Sequence, residues 1–128
     1  MKLLLDTHAL LWWSEGSSRL SARARDGISD KDNAIIVSAV SAMEIATKFR
    51  LGKLNGARRW ADNFQGELEA EGFDPLAIDI RHGRLAGSLQ IAHKDPFDRL
   101  LIAQAMLEGM ALVSNEEMFD GFGVSRLW

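Results

Sequence analysis

Met1-Lys-Leu-Leu-Leu-Asp6-Thr-His-Ala-Leu-Leu-Trp-Trp13 opens with an apolar run, Leu3 to Leu5, that stops at a carboxylate and passes at once into a segment able to continue as a helix. Three leucines in a row, with no polar alternation, suit a strand covered on both faces. Asp6 then stands where strand hands over to helix, the edge at which open parallel sheets bind ligands. Asp is equally an ordinary helix cap, so Asp6 alone fits either role. Other acids reaching the same edge would separate the two.

The strand-then-helix pattern recurs along the chain. A short helix is predicted from Ser21, its cap, to about Ile28, followed by a turn at Asp30 to Asn33. Ala34 to Val37 is a second uninterrupted apolar run, and a helix follows from about Ala39 to Leu51, stopped by Gly52. The next helix is expected from about Ala57 to Glu71, with Trp60, Ala61, Phe64 and Leu68 on one stripe and Gly72 as its end. Pro75 to Ile78 reads as a short strand, placed at an edge or a strand start by its Pro. Residues 79 to 91 read as one or two short helical turns. Asp95-Pro96 opens the clearest helix, ending near Glu108 before Gly109, with Met110 to Val113 a buried strand and Val124 to Trp128 a last one. Strands alternating with helices predict an α/β fold: a central, mostly parallel sheet of four to five strands between two helical layers.

Composition narrows the function classes. With 128 residues, 47% hydrophobic and 26% charged, the chain suits one domain, residues 1–128, with a sizeable core. No apolar run approaches the roughly 20 residues of a membrane span, and the N-terminus lacks the pattern of a secretory signal, so a cytoplasmic protein without a membrane role is expected. The absence of Cys removes disulfides, thiolate metal sites and Cys nucleophiles, and fits a reducing compartment. A net charge of -3 gives no global field that attracts nucleic acid, so such a partner requires metal ions or a local basic patch.

The acids carry the chemistry. Asp98 lies one turn into the strong helix, on the face shared with Leu101, Ile102 and Ala105. Its help to the helix dipole, about 0.3 to 1 kcal/mol at an exposed site, is too small to offset burial of an unpaired charge. Asp95 is explained as the cap, although it stands beside the same edge. Glu44 closes a possible capping box, Ser41-Ala-Met-Glu44, and precedes Lys48 by four residues, yet its face also carries Val40, Thr47 and Leu51. Ser114-Asn-Glu116-Glu117 follows the strand ending at Val113, and either Glu can complete the set.

Asp6, Glu44, Asp98 and Glu116 thus all fall just past a strand or one turn into a helix, where a parallel sheet gathers its carboxyl ends. Anionic groups sharing a small cavity repel one another unless a cation sits among them. With no Cys and three scattered His, an all-oxygen site for Mg2+ or Mn2+ is expected. Metal-assisted hydrolysis of a phosphodiester, by one ion or two, is the chemistry such a site serves.

Four stretches, Leu4 to Trp12, Ser38 to Ala46, Lys94 to Gln104 and Leu112 to Glu117, resemble in order the motifs of PIN-domain ribonucleases, and more narrowly the VapC toxins of bacterial type II toxin-antitoxin systems. The resemblance covers nearly the whole chain. It implies a three-layer α/β/α fold, and Asp6, Glu44, Asp98 and Glu116 as metal-binding, catalytic acids around Mg2+. The implied activity is RNA cleavage leaving a 5′ phosphate and a 3′ hydroxyl. It also implies a cognate antitoxin whose C-terminal segment wraps the toxin, and a toxin homodimer. The family's fourth acid is usually Asp, two residues after Thr or Ser; here it is Glu116 after Ser114, a longer side chain that reaches a metal differently or through water. Ser114 is expected to hold a phosphate or a water, and Thr7 and Arg99 are assigned to the substrate with it, Arg99 having a salt bridge as its alternative.

Remaining residues have plainer readings. His8 fits local hydrogen bonding at a helix start, with substrate contact as the alternative, and His82 and His93 read as surface or turn residues. Trp12, Trp13, Trp60 and Phe64 read as core, although four Trp in 128 residues suggest some exposed aromatic surface for an antitoxin. Rival functions fit less well. A haloacid-dehalogenase-type phosphatase needs a second acid where His8 stands. A receiver domain needs paired acids after the first strand and a Lys near the last. A PIN-like module that only binds RNA or protein is favoured by Glu116 alone.

Overall fold

Leu3 and Leu5 enter one apolar cluster and Leu4 another, because successive side chains of a strand point to opposite faces. The structure is a computed structural model and describes residues 1–54 and 56–128. Strand β1 (Lys2–Leu5) lies at the centre of a five-stranded sheet, between β2 (Ala34–Ser38) and β4 (Ala111–Val113). Strands β3 (Asp74–Leu76) and β5 (Arg126–Leu127) form the edges, giving the order β3-β2-β1-β4-β5 with every pairing parallel. Leu4 stands opposite Ile36 on one side and Leu112 on the other, and all three belong to the same cluster.

The helices are α1 (Thr7–Glu15), α2 (Ala22–Ser29), α3 (Ala39–Arg50), α4 (Arg58–Asp62), α5 (Phe64–Glu71), α6 (Ile80–Ser88) and α7 (Pro96–Glu108). One face of the sheet packs Leu3, Leu5 and Val37 against Leu10 of α1, Ile28 of α2, Ile45 of α3, Trp60 of α4 and Leu68 of α5. The other packs Leu4, Ile36 and Leu112 against Leu101, Ile102 and Ala105 of α7. Gly27 lets α2 press onto the first face: a β-carbon there would stand 2.8 Å from Leu127 Cδ2. The three-layer α/β arrangement expected from the alternation is therefore present, with a sheet that is parallel throughout.

Several local expectations change. The helix foreseen over 57–71 is two, because Asn63 leaves helical geometry (φ -151°, ψ 64°), ends α4 and caps α5 by accepting the Gly66 N–H at 3.3 Å. The apolar stripe survives the break: the Trp60 and Phe64 rings meet edge-on at 5.3 Å, and Phe64, Ala61 and Leu68 share one cluster. Residues 79–91 hold a nine-residue helix, α6, nucleated by a reciprocal box in which Asp79 accepts from the His82 N–H and His82 Nδ1 accepts from the Asp79 N–H. His82 is consequently buried, 1% exposed, and not a surface or turn residue. Strand β3 starts at Asp74 rather than Pro75 and ends at Leu76, with its Pro on the sheet edge, where a missing N–H is tolerated. The last strand shortens to Arg126–Leu127. The cap of α3 is Ser38, whose Oγ accepts the Val40 N–H at 3.0 Å, so Ser41 lies inside the helix and closes no box with Glu44. The aromatic surplus faces inward: Trp60 is buried, while Trp12, Trp13 and Trp128 are partly buried against the first cluster.

Candidate functional site

Each of the four acids arrives on a different turn of the fold. Asp6 extends the central ladder by one bond, its N–H donating to Val113 O at 3.1 Å, and its Oδ1 accepts the Ala9 N–H at 2.8 Å. Cap and edge carboxylate are thus one residue. Glu44 sits on the second turn of α3, and both its oxygens are engaged: Thr7 Oγ1 donates to Oε1 at 2.6 Å and Lys48 Nζ to Oε2 at 2.5 Å. Asp98 stands in the first turn of α7, whose cap, Asp95, accepts the Phe97 and Asp98 N–H groups at 2.8 and 3.3 Å. Glu116 follows β4, its N–H donating to Ser114 Oγ at 3.0 Å.

Asp6, Glu44, Asp98 and Glu116 line one polar cleft of about 160 Å3, together with Thr7, His8, Lys48, Asp95 and Leu101. The cleft lies beyond the carboxyl ends of β1 and β4 and above α3 and α7, which is where a parallel sheet places ligands. Its electrostatics are set first by burial, with a smaller push from neighbouring acids. Burial pushes the Asp6 carboxyl from an ordinary 3.8 up to about 6; a hydrogen bond with Ser114, the Ala9 amide and nearby His8 oppose the rise, and the Glu44 charge adds to it. Asp98 is also raised, first by burial, then by the charges of Asp95 and Glu44, against a hydrogen bond with His93.

Other residues assigned to the site take different places. Ser114 is fully buried beneath the cleft, where it braces Asp6 and the Glu116 backbone; its hydroxyl faces protein groups rather than a phosphate. Arg99 points away. Its guanidinium donates to the carbonyls of Ala86, Gly87, Leu89, Ile91 and His93, so it fastens the α6–α7 connection and is neither offered to a phosphate nor paired with an acid. Glu117 begins a 3-10 turn, Glu117–Phe122, and is not among the cleft residues, whereas Glu116 and Asp95 are. Two further residues touch these acids, His93 and Lys48. His93 is half-buried, with Nε2 2.7 Å from Asp98 Oδ2, and no local pattern around it announces that contact. Lys48 had a readable signal, the Glu-to-Lys spacing, but not its position at the cleft wall.

Among the described residues, one group of metal-type ligand atoms lies within 4.8 Å of one another: Asp79, His82 and Glu108. None of the three lines the cleft, and each is engaged by protein partners. Arg81 donates to Asp79 Oδ2 and Glu108 Oε1, both at 2.8 Å, and His82 Nε2 meets Glu108 Oε1 at 3.0 Å, which ties α6 to α7. The cleft acids are spread more widely; Asp6, Glu44 and Asp98 each have a protein partner on the carboxylate, whereas Glu116 is exposed. Even so, four carboxylates without thiolate or clustered imidazole form a donor set suited to a hard divalent ion.

Residues 3–124 match the PIN domain family. The chain belongs to that family. Its PIN domain is 29% identical over 117 residues to Ribonuclease VapC22 of Mycobacterium tuberculosis, covering 89% of this chain and 86% of that protein. The PIN domain also superposes on VapBC2 from Rickettsia felis, solved bound to a DNA fragment from its promoter, with a TM-score of 0.71, 14% identity and full coverage of both chains. VapBC-1 from nontypeable Haemophilus influenzae gives a TM-score of 0.68 at 15% identity, covering 98% of this chain and 96% of that one. Likeness at this level of identity carries the PIN fold, a parallel sheet between helices. No helix among the described residues is long and apolar enough to cross a membrane.

Proposed function

We propose that this PIN domain is a divalent-metal-dependent endoribonuclease, the VapC-type toxin of a type II toxin-antitoxin system, acting in the cytoplasm. The observation that carries the reading is the meeting of Asp6, Glu44, Asp98 and Glu116 in one cleft from four separate parts of the chain. The name of the mycobacterial relative, a ribonuclease, supports the substrate class. The VapBC structures support a cognate antitoxin, a partner that the inward-facing Trp side chains do not themselves argue for.

The four acids would hold Mg2+ or Mn2+, which supplies Lewis acidity toward a phosphodiester and lowers the pKa of an attacking water. The chain's own residues hold the arrangement. Thr7 orients Glu44 while Lys48 meets its second oxygen as a counter-ion, His93 orients Asp98, and Ser114 braces Asp6 and the start of the Glu116 turn. Leu101 supplies an apolar wall, which lowers the local dielectric and strengthens the pull of the carboxylates on a cation. Homodimerisation and release of a 5′ phosphate belong to the same proposal. A second reading, a PIN-like module that binds RNA or protein with little catalysis, is favoured by the exposed Glu116 in the fourth position and by Glu44 being fully engaged by Thr7 and Lys48.

Incubation of the purified protein with single-stranded and structured RNA distinguishes the two. Cleavage is expected with Mg2+ and none with chelator or in Asp98→Asn, a loss of at least about a hundredfold for one displaced carboxylate. Cleavage that persists in chelator, or an Asp98→Asn variant as active as the parent, would overturn the metal mechanism. Binding without cleavage in any metal would favour the second reading.

A further inference from the structure

The cleft is anionic, its presumed substrate is a polyanion, and the chain carries a net charge of -3. Nothing in the global field draws a phosphate toward those carboxylates. Lys48 is the one Lys or Arg among the residues lining the cleft, and its side chain is 34% exposed while that of Glu44 is 13% exposed. The ammonium therefore lies at the wall with access to solvent, whereas its partner is held inside. Thr7 Oγ1, 2.6 Å from Oε1, keeps Glu44 aimed into the cleft independently of Lys48. The other oxygen, Oε2, is occupied by Lys48 at 2.5 Å. The Lys48 side chain reaches solvent, so its ammonium can change acceptor without carrying a bare charge through the protein interior. Its stem is also flexible enough to move between acceptors without disturbing α3.

Resting on the nuclease reading, we propose that Lys48 is the phosphate anchor of this cleft. In the metal-free protein it is the counter-ion of Glu44; with a divalent ion and RNA present, its ammonium passes to a non-bridging oxygen of the RNA phosphate. Two arginines on neighbouring elements are committed elsewhere. The Arg99 guanidinium is spent on five backbone carbonyls, and Arg126 donates to Asp120 and to the Ser114 carbonyl.

The test uses Lys48→Met and Lys48→Arg with a fluorescently labelled single-stranded RNA at saturating Ca2+, a probe ion chosen to permit binding, and reads RNA affinity against salt by anisotropy. A Mn2+ titration of each protein without RNA reports metal affinity separately. Lys48→Met is expected to weaken RNA binding about tenfold, the worth of one charge-assisted hydrogen bond, and to reduce the salt slope by about 0.7, one single-strand phosphate contact. Lys48→Arg is expected to keep most of both. Mn2+ affinity of Lys48→Met is expected to be equal or tighter, because a competing cation is gone. If Lys48 serves only to hold Glu44, Mn2+ affinity falls while RNA affinity and slope at saturating Ca2+ stay as in the parent, and the anchor role is overturned. A parent chain that binds no RNA at all overturns the nuclease reading, and the anchor with it.

Discussion

Asp6 holds three duties that ordinarily go to separate residues: it ends a central strand, caps α1, and contributes charge to the cleft. Their combination has a measurable cost. A carboxyl raised from 3.8 to about 6 on folding is bound to a proton more firmly in the native state, so its stabilising contribution is complete below about pH 4 and is lost as pH rises through 6. The loss at pH 7 is about 3 kcal/mol in the absence of divalent ions. Asp6→Asn keeps an amide oxygen able to cap α1 but carries no charge. In chelator it should exceed the parent in stability by about 3 kcal/mol at pH 7 and match it near pH 4, as read from urea midpoints at the two pH values. A constant difference across that range would contradict the buried, raised carboxyl. Asp98, raised for the same first reason, adds to the pH trend of the parent but cancels between parent and variant.

At the level of elements, Arg99 illustrates how a side chain chosen for one purpose serves another. Leu89 and Ile91 pin the segment between α6 and α7 to the second core cluster, and the guanidinium collects carbonyls from Ala86 to His93 in one fan. Lys keeps the charge but not the planar fork, so Arg99→Lys should destabilise the fold by about 2 kcal/mol or more and sensitise residues 87 to 94 to limited proteolysis. An unchanged digestion pattern would show that the fan is dispensable. That role was hidden in the sequence, because the acceptors are backbone carbonyls spread over eight residues and leave no pattern. The strands β1, β2 and β4 were legible because all are buried on both faces and carry continuous apolar runs. The α4–α5 break was not, since Trp60, Phe64 and Leu68 keep a helical period across it while Asn63 turns the backbone. For the cleft, Asp6 was readable from its place where a strand hands over to a helix and Asp98 from its charge on an apolar helix face; the place of Lys48 in the wall and the His93–Asp98 contact needed the fold.

Across the whole molecule, the site is a property of the assembled sheet rather than of any segment. Ligand binding to the native state alone stabilises it by mass action, so Mg2+ at about a hundredfold excess over its Kd should raise Tm by roughly 10 °C. Differential scanning fluorimetry of the parent and Asp98→Asn, with and without Mg2+, measures this; an equal shift in both proteins would place the ion outside the cleft. The sheet order adds a consequence for how the chain is made. Strand β1 leaves the ribosome well before β4, one of its two flanking strands, and Glu116 follows even that. A nascent chain therefore exposes Asp6 early without the partners that would give it a cation to share. The cleft is completed only after Glu116 has been made and β4 has taken its place beside β1, so strand order alone keeps the four acids apart while the intervening residues are being synthesised.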